Sequence, residues 1–159
     1  MQIRPDIALQ AVLKSLQDVV LPAVDPANHL AQEQAQLVVG LLGLVASRLP
    51  LQFRYDVDEL ARLVTLARTL GLDAAAPADV LRRAGAGPNE VVAAVGDLRE
   101  AIGDRIAALD GEGFADARAA VLTAAREQHL RERSWLLMQG WEVDPATVPA
   151  IETLIGADR

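Results

Sequence analysis

Two histidines and no cysteine leave this chain few groups for acid–base or metal chemistry. His29 and Glu33 stand four residues apart, on one flank of a helical wheel with Gln36, Gly40 and Gly43. The glycines would let a neighbouring backbone approach, and the polar pair would then line a small pocket as base or metal ligands. The competing reading is a solvated first turn, with Glu33 favourably placed near a helix N-terminus, and it carries more weight. A second set falls later. Leu122, Ala125, His129, Glu132 and Leu136 form one line at helical spacing, so His129 and Glu132 would be a polar pair in an apolar stripe. Against this, Arg126, Glu127, Gln128, Arg131 and Arg133 crowd the same turns. That favours a solvated face tied by Glu127 to Arg131 at i, i+4.

Arg126, His129 and Arg133 also share a face and would suit a phosphate or carboxylate. A shared metal fits poorly. Ferritin-like sites need a Glu-x-x-His motif from each of two helices, whereas here the order is reversed in His29-x-x-x-Glu33 and His129-x-x-Glu132, so no metal is expected. Residues 57–84 read helix, Gly71-Leu72-Asp73, short helix, loosely a helix-turn-helix. Only Arg82 and Arg83 would serve a recognition helix. No nucleophile elbow, dinucleotide fingerprint, phosphate loop or His-Glu-x-x-His occurs, and no cofactor is implied.

These residues must be positioned by helices. A first helix is expected from about Pro5 to Val20, with Leu9, Leu13, Leu16 and Val20 inward and Pro22 ending it. A second runs from the Asp25 cap and Pro26 to Leu49-Pro50, burying Leu30, Leu37, Leu41, Leu44 and Val45. Residues 51–55 read as a loop. A third helix starts at Asp56, with Glu59 as its capping-box partner, and stops at Gly71 with Leu60, Leu63, Val64, Ala67 and Leu70 inward. Residues 73–88 are the least regular, with a short helix around Asp79 to Ala84. A fourth helix from about Asn89 to Leu109 carries Val91, Val95, Leu98, Ile102, Ile106 and Leu109, close to a heptad seam. After a turn at 110–113, a fifth helix runs from Phe114 to about Gln139, and Ile151 to Ile155 makes a short last one. Trp135 and Trp141 read as core or interface anchors. The class is all-α, a helical bundle of four to five long helices with short connecting helices, forming one domain over residues 1–159.

Composition bounds the rest. A net charge of −7 over 159 residues argues against a general nucleic-acid or anionic-membrane binder. The run Leu37 to Ala46 is about half of what a transmembrane helix needs. The first residues lack a signal-peptide layout, and the expected location is cytoplasmic. Hydrophobic residues make up 52% but aromatics only 3%, an apolar share that points to surface buried in a partner, here a homo-oligomer.

Arg4-Pro5, the segment Val19-Val20-Leu21-Pro22-Ala23, His29-Leu30-Ala31 and the Leu37-to-Arg48 run resemble a bacterial family of short helical proteins of unknown function. Its members are often encoded beside acyl-CoA dehydrogenases and aminoglycoside-phosphotransferase-like kinases. The resemblance covers about residues 4–70. It implies an accessory role near acyl-CoA or lipid catabolism and brings no catalytic residues. The leading expectation is a non-catalytic, oligomeric interaction or accessory module. The alternative is a small-molecule binder or enzyme with an inter-helix pocket for an acyl or acyl-CoA-like ligand, using Arg126 and Arg133 for its anionic end. A DNA binder and a metal-carboxylate bundle rank below both.

Overall fold

The computed structural model describes residues 4–109 and 114–156, and every regular element among them is helical. In chain order these are α1 (Pro5–Ser15), a π turn (Leu16–Val20), α2 (Leu21–Ala23), α3 (His29–Arg48), α4 (Gln52–Thr69), α5 (Ala75–Arg82), α6 (Pro88–Ala107), α7 (Phe114–Trp135) and α8 (Ile151–Leu154), with 3-10 turns at Leu49–Leu51, Leu137–Gln139 and Pro145–Thr147. The turn expected at 110–113 lies outside the described residues. The chain divides into two compact units. One holds residues up to Leu51 together with Trp135–Pro145, and the other holds Gln52–Ser134 and the residues from Ala146 on.

Several boundaries differ from the sequence pattern. Pro22 does not end the first helix. It has no N–H to continue the α ladder, and the turn before it widens instead, so that the Leu21 N–H bonds the Leu16 carbonyl. The cap of α3 is Asn28, whose Oδ1 accepts the Ala31 N–H at 3.1 Å; Asp25 closes a tighter turn by accepting from Ala27 at 2.9 Å. No loop separates α3 from α4. Leu49–Leu51 is a single 3-10 turn that tolerates Pro50, and helical winding resumes at Gln52, four residues before the expected Asp56. The short α5 starts at Ala75 rather than near Asp79, because Asp73 accepts the Ala75 N–H at 2.9 Å, and Pro77 sits in the first turn where an N–H would be idle anyway. After Trp135 the chain tightens to a 3-10 turn, Leu137–Gln139, instead of continuing the long helix.

The second unit holds nearly all of the buried core. Leu60, Val64 and Ala67 of α4 pack against Val91, Ala94, Val95, Leu98 and Ile102 of α6, with Ala78 of α5 beside them. The heptad-like seam of α6 is therefore spent inside the chain and is not an oligomer face. Gly71, at φ 75°, ends α4: the Leu72 N–H reaches the Ala67 carbonyl at 2.9 Å and the Gly71 N–H reaches Arg68 at 3.1 Å. This is a Schellman turn, which needs the left-handed conformation that glycine adopts without strain.

In the first unit α1 and α3 lie side by side. Arg48 ties on the later segment, donating from Nε to the Trp135 carbonyl at 2.9 Å with its guanidinium 5.6 Å from the Trp135 ring centre. Of the sixteen buried hydrophobic residues described, Leu13 alone belongs to this unit. The stripe expected to be buried on α3 is not: Leu30, Leu37, Leu41 and Val45 are exposed and Leu44 is half-buried. Nor does a backbone approach Gly40 or Gly43, which meet nothing within 4 Å of an added Cβ. The helical run from His29 to Thr69 is long and apolar enough, by length and composition, to cross a membrane.

Candidate functional site: a groove between three helices

The second unit contains a groove of about 850 Å3 walled by α4, α6 and α7. Its geometry follows from how α7 meets α4. Asp58 pairs with Arg131, and Arg62, one turn on, pairs with Glu127, one turn back. The two helices therefore run in opposite directions. Towards the groove α7 offers Ala120 and Ala124, which are too small to fill the space beside Leu63, Leu66, Ile102 and Ile106. The result is an apolar trough with a polar end.

At that end Asp58 is the hub. Its Oδ2 accepts Arg62 Nε at 2.8 Å and Arg131 Nη2 at 3.1 Å, and its Oδ1 accepts the Gly156 N–H at 3.1 Å. Arg62 goes on to Glu127 Oε2 at 2.7 Å and the Leu154 carbonyl at 3.2 Å. Burial pulls the Arg62 guanidinium down, but Asp58 and Glu127 outweigh it and hold it above the ordinary arginine value. Glu59, buried, is paired with Arg99. Behind Asp58 lies Arg131, whose side chain is only 2% exposed. Its Nη1 donates to Gln128 Oε1 at 2.7 Å and its guanidinium stacks 4.5 Å from the Tyr55 ring centre, while its Nε has no hydrogen-bond partner. Gln128 in turn donates to the Tyr55 hydroxyl at 3.1 Å. Burial raises the Tyr55 phenol above its ordinary value, against the pull of the Arg131 charge and of Gln128.

The reactive groups of the groove are engaged within the chain. The groove threonines spend their hydroxyls on their own helices: Thr65 on the Ala61 carbonyl, Thr69 on Thr65 and Thr123 on Ala119, each at 3.0 Å. No histidine lines the groove to activate them, and its carboxylates are held in ion pairs. Among the described residues no cluster of three or more histidines and carboxylates gathers for a metal.

The residues singled out in the sequence are not brought together. His29 and Glu33 are exposed on the first turns of α3, in the first unit. On α7, Arg126, His129 and Glu132 are exposed and Arg133 is half-buried, and none of the four lines the groove. The line Leu122, Ala125, His129, Glu132, Leu136 is exposed throughout, with Ala125 at the open groove. The inward line is its neighbour, Val121, Ala124, Gln128, Arg131 and Ser134, the last two almost completely buried. Glu127 reaches across to Arg62 rather than along its own helix to Arg131. Sequence reasoning missed this line because a buried arginine looks like any surface cation until its partner, here Asp58 some seventy residues earlier, is known. Arg82 and Arg83, the two cations of the helix-turn-helix reading, are tied to Asp79 and, for Arg83, to Glu90. Trp141 is exposed and Trp135 is half-buried beneath Arg48.

No protein-family model, no curated protein and no solved structure matches the chain.

Proposed function

We propose that this protein is a non-catalytic helical module that self-associates through its first unit. One observation carries the reading. Fourteen of the seventeen exposed large hydrophobic residues described lie in that unit, among them Ile7, Val12, Val19, Leu30, Leu37 and Leu41, while its buried hydrophobic set is Leu13 alone. Monomeric proteins seldom expose a contiguous apolar patch beyond a few hundred Å2. A standard interface buries about 800 Å2 per partner.

A second copy suits this face better than lipid. The helical run His29–Thr69 is long and apolar enough to span a bilayer, but its uninterrupted apolar part, Leu37–Ala46, covers about 15 Å at 1.5 Å per residue, against a hydrocarbon core of about 30 Å. Gln32, Glu33, Gln34 and Gln36 precede it. The unit is also acidic, with Asp6, Asp18, Asp25, Glu33, Glu142 and Asp144 against Arg4, Lys14 and Arg48, so anionic lipid would repel it. An accessory role beside acyl-CoA or lipid catabolism is the one that the resemblance of about residues 4–70 implies, and it belongs to this proposal. Light scattering at micromolar concentration tests the association. The expected mass is at least twice 17.0 kDa, falling to the monomer in Leu37→Glu/Leu41→Glu. A monomeric parent protein overturns the reading.

A further inference from the structure

The groove of the second unit has features of a ligand site that self-association leaves unused. We propose that it binds an uncharged amphiphile: one aliphatic chain along the trough, ending in a neutral hydrogen-bonding head beside Asp58, Arg62 and Glu127. The proposal is independent of the oligomer.

Size and lining come first. About 850 Å3 lies within the usual range for small-molecule sites, which are mostly apolar with a few convergent polar groups. From Asp58 to Thr69 the trough follows twelve residues of α4, roughly 16 Å for eleven rises of 1.5 Å. One end is polar and the other, near Leu66, Ile106 and Ala120, is apolar, so a long, one-headed molecule matches it and a compact polar one does not.

Charge decides the head. The lining carries three carboxylates, Asp58, Glu59 and Glu127, and two guanidiniums, Arg62 and Arg99. Arg131 behind Asp58 supplies the third positive charge. Every one of these groups is in an ion pair. The charges balance three against three, so a carboxylate or phosphate head meets a carboxylate beside every arginine, a cationic head meets a guanidinium beside every carboxylate, and neither gains a net attraction. A hydroxyl or amide is indifferent to that balance. It can donate to the outer lone pairs of Glu127, a carboxylate that accepts several hydrogens and is half-exposed. The acyl-CoA-like ligand suggested by Arg126 and Arg133 does not suit this site, since neither arginine lines it.

The test is methyl NMR of the full chain, labelled at alanine and leucine and titrated with 1-decanol, sodium decanoate and decyltrimethylammonium chloride. Decanol should shift the methyls of Leu63, Leu66, Ala120 and Ala124 saturably. It should bind at least about tenfold more tightly than either charged probe, because burying a charged head without a new partner is costly. Ala124→Phe fills the trough and should abolish these shifts. Ala120→Val, a smaller change that keeps the fold if the phenylalanine does not, should weaken them. Four outcomes overturn the proposal: shifts confined to methyls of the first unit, equal affinity for the three heads, shifts that survive both substitutions, or groove methyls that move with protein concentration alone, which would mark a second copy as the occupant. The first three leave the mass measured by light scattering unchanged, and in the fourth the mass would not fall in Leu37→Glu/Leu41→Glu, so the two proposals fail separately.

Discussion

Arg131 on α7 and Asp58 on α4 form an ion pair at 3.1 Å in which the arginine is almost wholly buried and the carboxylate is 16% exposed. The two ends are not equivalent. Asp58 has two other partners, Arg62 and the Gly156 N–H, whereas among the described residues the only carboxylate paired with Arg131 is Asp58.

That asymmetry predicts unequal costs. Asp58→Ala strands a buried guanidinium and should cost about 3–5 kcal/mol, the usual penalty for removing one partner of a buried pair. Arg131→Met keeps most of the side-chain volume and leaves Asp58 with Arg62, so it should cost clearly less. Urea unfolding of the two variants measures the difference. Equal losses, or a loss below about 1 kcal/mol for Asp58→Ala, would mean that the pair behaves as a surface contact.

Tyr55 gives a clean titration because it is the only tyrosine. Burial raises its phenol above the ordinary value of 10.0 in the folded chain, the Arg131 charge and the Gln128 hydrogen bond opposing it. The native state therefore holds that proton to higher pH than the unfolded chain does. The associated stability is fully present below the unfolded value and is lost as pH rises through the folded one. Absorbance near 295 nm should show half-ionisation above about 10 in the native protein and at about 10 in denaturant. Coincident curves would contradict the burial of this ring.

His129 is exposed on α7. His129→Leu should change stability by no more than about 0.5 kcal/mol, as for most surface substitutions, and should leave decanol binding in the groove unchanged. A larger shift in the melting curve would show that His129 has a packed role the structure does not give it.

Much of the architecture is local and was legible in the sequence. Gly71 stops α4 because one residue there must take a positive φ, a property of the backbone that needs no tertiary partner. Leu60, Val64 and Ala67, like Val91, Val95, Leu98 and Ile102, are buried where their helical period places them. The helix ends were less legible because prolines carry two meanings. Pro22 and Pro50 read as breaks, yet the chain winds through both by changing helix type, which depends on the few hydrogen bonds around each.

Packing between helices selects which apolar stripe finds a partner and which polar residue becomes buried. The α6 seam and the α3 stripe look alike along the sequence. One packs against α4 within the chain, and the other stays exposed, because periodicity fixes the face of a helix but not what lies opposite it. Arg131 and His129 sit two residues apart in the same charged stretch of α7. The first is inside because Asp58 and Tyr55, in a distant helix, neutralise and cover its guanidinium. The second is in water because the inward face of α7 runs through Gln128, Arg131 and Ser134 and leaves it pointing away.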